Sequence, residues 1–322
     1  MRRLTALILA LVVAGAAMVV GGPAISAQPV SQTGTLKVVV GTAIVQDLVT
    51  RVGGDRVEAS SIVPPGADPH TYQPTPRDVQ GLQGARLAVW NGLGLDDTAA
   101  DLVAEQGLPN LTVVVLSQGI APLAGDDHDH DAHGEEEHAD EAHDDDRGHS
   151  HAGGNPHLWL DPAYAVRYVQ AIRDALTEVD PANAETYRTN AAAYITEINA
   201  LDTWAKGEIA TIPAERRKLV TFHDAFPYFA AHYDLELIGV VLKSPGREPS
   251  AQEVAALVTE MQRHQIPTVF AEPQFNARIL ELAARDAGVS VRRLYSDAFD
   301  AQVSNYLDLM RYNVTSVVEG LR

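Results

Sequence analysis

Three histidines and one aspartate have the residue types and positions that a metal site requires. His223 directly follows an apolar run that predicts a buried strand, and Asp297 follows a second such run. His70 lies in a loop rich in proline and glycine, and His157 stands just before a further apolar run. Ligands of open α/β sheets bind beyond the carboxyl ends of the strands, where His223 and Asp297 are predicted to lie. Three imidazoles and one carboxylate form a tetrahedral set suited to zinc, although a loop histidine taken alone is more often a surface or hydrogen-bonding residue.

The segment Asp126–His151 has a composition unlike the rest of the chain. It combines seven histidines and twelve carboxylates with one arginine, and it contains no Leu, Ile, Val or aromatic residue. Such a segment cannot bury enough apolar surface to fold alone, which predicts a disordered loop. Its flexible ligands would lose entropy on binding, so we expect it to hold several zinc ions weakly. We interpret it as a metal-gathering or metal-handover loop; the alternative is a solvated run of charge.

The N-terminus has the three parts of a secretory signal peptide, predicted at residues 1–27. Two arginines precede the apolar stretch Leu4–Val20, and small residues lead to Ala27. An uncleaved membrane anchor is the alternative, since the apolar run is near the lower length limit for spanning a bilayer. The chain has no cysteine, which excludes disulfides and a lipid-modified N-terminal cysteine and leaves nitrogen and oxygen as zinc ligands. These features predict a soluble periplasmic protein.

Beyond the N-terminus, short apolar runs alternate with amphipathic stretches, which predicts an α/β fold with parallel sheets. Strands are predicted at 36–40, 57–63, 86–90, 113–116, 219–222, 237–241, 268–271 and 289–294. Helices are predicted at 44–52, 77–83, 98–105, 164–178, 181–209, 225–233, 251–264, 277–287 and 306–321. The pattern divides the chain into an N-terminal lobe (28–180, including the loop 126–151), a connecting helix (181–212) and a C-terminal lobe (213–322).

Four blocks of the sequence resemble those of zinc-specific solute-binding proteins, the receptors of ABC-type metal importers. The blocks are Gly-Ala-Asp-Pro-His-Thr-Tyr (66–72), Asn-Pro-His-Leu-Trp-Leu-Asp-Pro (155–162), Thr-Phe-His-Asp-Ala-Phe (221–226) and Phe-Ala-Glu-Pro-Gln-Phe (270–275). The resemblance extends over about residues 35–322. It implies two Rossmann-like lobes joined by a long rigid helix, with one metal ion in the cleft between the lobes.

The resemblance also implies a set of ligands. His70, His157 and His223 carry over as metal ligands, and Asp297 is the expected fourth ligand, with Glu272 or a water molecule as alternatives. Manganese-binding relatives tend to have a carboxylate at the position of His223, so a third imidazole favours zinc over harder, oxygen-seeking ions.

The function predicted from these features is zinc capture and delivery to an ABC importer permease. We expect a monomer, which a periplasmic metallochaperone could load. Nucleic acid is not an expected partner, because the formal charge is −19 and no basic stripe is present. Two alternatives remain at this point, a zinc hydrolase and a stand-alone zinc buffer. The hydrolase lacks support, since the chain has neither a His-Glu-x-x-His helix nor a Gly-x-Ser-x-Gly turn. The remaining histidines, His232 and His264, are predicted to be structural.

Overall fold

A computed structural model describes residues 34–78, 82–123, 153–242, 246 and 249–322. The predicted signal peptide and the His-rich segment Asp126–His151 lie outside the described residues. Within the described part of the chain, no helix is both long and apolar enough to cross a membrane.

The first lobe is built on a four-stranded parallel sheet with the strand order β2-β1-β3-β4. Its elements are β1 (Leu36–Val40), α1 (Ala43–Gly53), β2 (Val57–Ser61), β3 (Leu87–Trp90), α2 (Asp97–Glu105), β4 (Thr112–Val115) and α3 (Pro162–Val179). The inner strands β1 and β3 are almost continuously apolar and buried, as expected of parallel strands covered on both faces. Thr42 caps α1 by accepting a hydrogen bond from the Val45 amide.

A long helix, α4 (Ala184–Ile209), separates the two sheets along the chain. Its 26 residues correspond to a length of about 39 Å at 1.5 Å per residue. Tyr187, Tyr194 and Ile198 are among the side chains of its buried face, and the helix packs against helices of both lobes, α1, α3 and α8.

The second lobe repeats the topology of the first, with the parallel strand order β6-β5-β7-β8. Its elements are β5 (Lys218–His223), α5 (Pro227–His232), β6 (Glu236–Leu242), α6 (Ala251–Arg263), β7 (Thr268–Ala271), α7 (Arg278–Ala287), β8 (Ser290–Arg293) and α8 (Tyr306–Leu321). The predicted α/β fold with two parallel-sheet lobes is therefore confirmed. The domain boundaries at 28–180, 181–212 and 213–322 stay a prediction.

Several predicted boundaries differ from the structure for local reasons. The long helix, predicted from residue 181, begins with a 3-10 turn at Pro181–Asn183 before α4. Helix α5 begins at Pro227, two residues later than predicted, because proline suits the first position of a helix. The predicted strand 57–63 ends at Ser61. The predicted short helix at 77–83 falls partly outside the described residues.

Candidate metal centre

The carboxyl edges of the two sheets supply the four residues that the sequence singled out. His223 is the last residue of β5, and Asp297 follows β8 by four positions. His70 lies in the loop after β2, and His157 precedes the 3-10 turn that leads into α3. The four residues are buried, with exposed fractions of 0–6%. The first lobe therefore supplies two imidazoles, and the second lobe supplies one imidazole and one carboxylate.

The possible ligand atoms of these four side chains lie within 4.8 Å of one another. Nε2 of His157 is 3.1 Å from Nε2 of His70 and 3.3 Å from Nε2 of His223. The Asp297 carboxylate approaches the Nε2 atoms of His157 and His223 to 3.3 Å and that of His70 to 3.8 Å. Tetrahedral zinc with ligand distances of about 2.0–2.1 Å separates its ligand atoms by about 3.3 Å. The spacing therefore fits one small divalent cation.

Two features of these side chains support this fit. Oδ1 of Asp297 is buried, and Nε2 of His157 lies 3.3 Å from it, so its burial needs a cation, either a metal ion or a protonated imidazole, to compensate it. The imidazoles also present the same atom, Nε2, to the shared space. The four side chains can therefore act together on one ion.

Glu272 orients His223 from outside the cluster. It follows β7, and its Oε1 lies 2.8 Å from Nδ1 of His223 and also accepts the His223 backbone N–H at 3.1 Å. Donation by Nδ1–H to this carboxylate leaves Nε2 of His223 as the lone-pair atom for a metal. Glu272, considered from the sequence as an alternative ligand, is not part of the group of converging ligand atoms.

Asn155 orients His157 in the same way, a role that sequence reasoning missed. Its Oδ1 lies 2.9 Å from Nδ1 of His157 and accepts the His157 backbone N–H. The Asn155 amide donates to the backbone oxygen of Asp224 at 2.6 Å, which fixes the direction of the amide. Asn91 holds the neighbouring Pro156 carbonyl through its amide at 3.0 Å. The only signal in the sequence was the position of Asn155 inside the Asn-Pro-His block.

Burial and charge act in opposite directions on the ionisable groups of the cluster. Burial alone lowers the pKa of His223, but the Glu272 and Asp297 carboxylates outweigh burial and raise that pKa well above its ordinary value. Burial raises the pKa of Asp297, yet the neighbouring His157 and His223 bring it well below its usual range. The metal-free site therefore favours an imidazolium–carboxylate pair, and a dication must displace a proton to bind.

The other two histidines of the described residues lie outside the cluster, as predicted. His232 bridges two carboxylates, with Nδ1 2.8 Å from Asp161 and Nε2 2.8 Å from Asp202. His264 pairs with Glu260 one turn earlier in α6. Asp161 also caps α3 through the Ala163 amide, so the His232 bridge connects the start of α3, helix α4 and helix α5.

Two parallel-sheet lobes with a buried set of three histidines and one aspartate define a metal-binding protein of the two-lobed receptor class. Comparison with known families agrees with this assignment. Residues 38–320 match the family "zinc-uptake complex component A, periplasmic", and the chain belongs to this family. It is a periplasmic metal-binding receptor for an ABC importer, and it is not an enzyme.

The similar proteins are named for several metals. The chain is 31% identical over 290 residues to the manganese-binding lipoprotein MntA of Halalkalibacterium halodurans, covering 89% of this chain and 88% of that protein. It is 31% identical over 288 residues to the iron-binding protein YfeA of Yersinia pestis, covering 88% and 86%. A periplasmic metal binding protein from Candidatus Liberibacter asiaticus, solved in Cd-bound and Mn-bound forms, matches with a TM-score of 0.75 at 26% identity, covering 89% of this chain and all of that one.

Proposed function

We propose that the cargo of this receptor is zinc, held by His70, His157, His223 and Asp297 and delivered to the permease of an ABC importer. The observation that carries the proposal is the donor set, three imidazole nitrogens and one carboxylate in a buried cluster. Imidazole nitrogen suits zinc, whereas manganese favours carboxylate, carbonyl and water oxygens. The burial of the four side chains also favours a low coordination number, which zinc accepts readily.

Manganese or iron is the second candidate, because the relatives MntA and YfeA carry those metals in their names. The third imidazole, His223, argues against manganese. Affinity alone is a weak criterion, since most nitrogen and oxygen sites bind zinc more tightly than manganese or ferrous iron. The decisive quantity is the zinc-to-manganese affinity ratio and its response to a change of ligand type.

The remaining parts of the proposal concern segments outside the described residues and partners. We propose that residues 1–27 direct export and that Asp126–His151 gathers zinc for the buried site. The protein would act as a soluble periplasmic monomer that a periplasmic metallochaperone loads with zinc. The composition of the two segments supports these roles.

The test uses the mature chain with residues 126–151 deleted, so that the weak sites of the segment do not contribute. Chelator competition should find one tightly bound zinc per protein, and the intact chain should bind additional zinc weakly. His223→Glu, which replaces an imidazole by a carboxylate, should lower the affinity for zinc more than the affinity for manganese. A deletion protein that binds manganese or ferrous iron as tightly as zinc would overturn the proposal.

A further inference from the structure

The two carboxylate oxygens of Asp297 have different environments. Oδ2 lies 2.9 Å from the hydroxyl of Ser296 and 3.2 Å from Nε2 of Gln274. Oδ1 is buried and has no hydrogen-bond partner among the described residues; Nε2 of His157, at 3.3 Å, is a near neighbour. Both oxygens face the imidazoles, because Oδ2 lies 3.3 Å from Nε2 of His223 and 3.8 Å from Nε2 of His70, so distance does not single out Oδ1. Hydrogen bonding does distinguish them.

The protons available around Oδ2 can be counted. The Gln274 amide carries two N–H protons and the Ser296 hydroxyl carries one. Three acceptors surround them. Nε2 of Gln274 is 2.7 Å from the Ser296 hydroxyl and 3.3 Å from Oε2 of Glu272, in addition to its contact with Asp297. The Ser296 hydroxyl also contacts Oε2 of Glu272 closely. Three protons and three acceptors are therefore balanced.

Two arrangements of these hydrogen bonds give each acceptor one proton, and Asp297 accepts the same number of hydrogen bonds in both. If Ser296 donates to Glu272, Gln274 donates to Ser296 and to Oδ2 of Asp297. If Ser296 donates to Asp297, Gln274 donates to Ser296 and to Glu272. In each arrangement Oδ2 of Asp297 accepts one hydrogen bond from Gln274 or Ser296. The other carboxylate oxygen, Oδ1, accepts none from these two side chains.

The orientation of the Gln274 amide is fixed by the same neighbours. Exchanging its oxygen and nitrogen would place Oε1 against two carboxylate oxygens, an arrangement without a donor. In the observed orientation, Oε1 of Gln274 is buried without a hydrogen-bond partner among the described residues. The observed orientation therefore leaves one amide oxygen unpaired and directs the N–H donors toward the carboxylates.

We propose that Gln274, with Ser296, restricts Asp297 to binding the metal through Oδ1 alone, and that this restriction selects zinc over manganese. The inference rests on the proposed function, that the cluster binds zinc. One carboxylate oxygen and three imidazole nitrogens make a four-coordinate site, which zinc prefers. Manganese prefers a larger set of oxygen ligands, and a carboxylate bound through both oxygens would supply one more. Gln274 acts here as a positioning residue that contacts a ligand and not the metal.

The test is the variant Gln274→Met, which keeps the length of the side chain and removes both donors. Its matched control is Gln262→Met, at an exposed position of α6. In the deletion protein lacking 126–151, bound Co²⁺ should give the intense visible bands of four-coordinate cobalt, and the control should keep them. Gln274→Met should weaken these bands and lower the zinc affinity by about 10–100-fold, the usual cost of losing an outer-shell partner. The manganese affinity should fall less, so the zinc-to-manganese affinity ratio should decrease.

Two results would overturn the inference while leaving zinc binding intact. One is an unchanged cobalt spectrum and affinity ratio in folded Gln274→Met. The other is a result of X-ray absorption on the zinc-loaded, unsubstituted protein. This measurement can be made even if the variant does not fold. Both oxygens of one carboxylate bound to zinc would contradict the inference, and four ligands with one oxygen would support it. Failure of the unsubstituted protein to bind zinc would instead refute the proposed function.

Discussion

The pH dependence of zinc affinity follows from the charge state of His223. The Glu272 and Asp297 carboxylates, acting against burial, raise the pKa of His223 well above its ordinary value, so the metal-free imidazole keeps its proton at a pH where a free histidine would be neutral. Zinc binds only the neutral imidazole. For each proton that zinc displaces, the zinc affinity falls tenfold per unit decrease in pH, provided that the metal-free site is protonated in that pH range. Affinity should therefore already fall with decreasing pH near neutrality.

The magnitude can be worked from this single proton. Between pH 7.5 and pH 5, each pH unit below the raised pKa of His223 lowers the zinc affinity about tenfold, equivalent to about 1.36 kcal/mol. Any further imidazole of the site that becomes protonated in this range makes the fall steeper. A site made only of oxygen ligands would respond chiefly below about pH 4, where carboxylates protonate.

The assay is chelator competition at several pH values on the protein lacking 126–151, because the seven histidines of that segment would add their own titration. Glu272→Gln keeps a hydrogen-bond acceptor for Nδ1 of His223 and removes one charge that raises its pKa. The fall in affinity should then begin at a lower pH. An affinity that stays flat from pH 7.5 to 5 would refute the three-histidine site, and an unshifted profile in Glu272→Gln would refute the electrostatic cause.

Three further outcomes are expected. His223→Ala should weaken zinc binding by orders of magnitude, whereas His232→Ala should leave it nearly unchanged; equal losses, measured by competition, would show that other histidines converge. His232→Ala should instead lower the free energy of unfolding by about 1–3 kcal/mol, because Asp161 and Asp202 lose their shared partner. Burial lowers the pKa of His232, but these two carboxylates outweigh burial and raise that pKa. The stabilisation of the fold by protonated His232 is therefore complete below about pH 6.5 and is lost as pH rises through the folded-state pKa. Denaturant unfolding should show a larger difference in free energy between His232→Ala and the unsubstituted protein at pH 6 than at pH 9. Asp96→Asn should lower the free energy of unfolding by about 1–3 kcal/mol. Both carboxylate oxygens of Asp96 accept backbone N–H groups, and an asparagine amide would place an N–H donor against one of these groups. An unchanged melting temperature would contradict this expectation.

The sequence predicted the strands well because parallel strands buried on both faces are continuous apolar runs. The register of such a run also places the residue that follows it, which is why His223 could be assigned to the carboxyl end of β5. The beginning of the long helix was less predictable. Pro181 is compatible with both a 3-10 turn and the first turn of an α-helix, and the structure contains the 3-10 turn.

The distinction between ligands and their supports could not be predicted from the sequence. Asp297 and Glu272 both follow neighbouring strands, β8 and β7, and only the three-dimensional arrangement shows which carboxylate faces the Nε2 side of His223 and which faces Nδ1. The partners of His232 lie in α4 and before α3, far from α5 along the chain. Such contacts depend on the packing of elements and leave no local pattern.

Anomalous diffraction tests most directly whether zinc is held by the three histidines and Asp297. Crystals would be grown from the mature protein after loading with equal concentrations of zinc, manganese and ferrous iron. Data on both sides of each absorption edge would then identify and place the bound metal. We expect a zinc peak about 2.0–2.2 Å from one nitrogen of each of His70, His157 and His223 and from an oxygen of Asp297. A manganese or iron peak at this position, or a zinc peak away from these four residues, would contradict it.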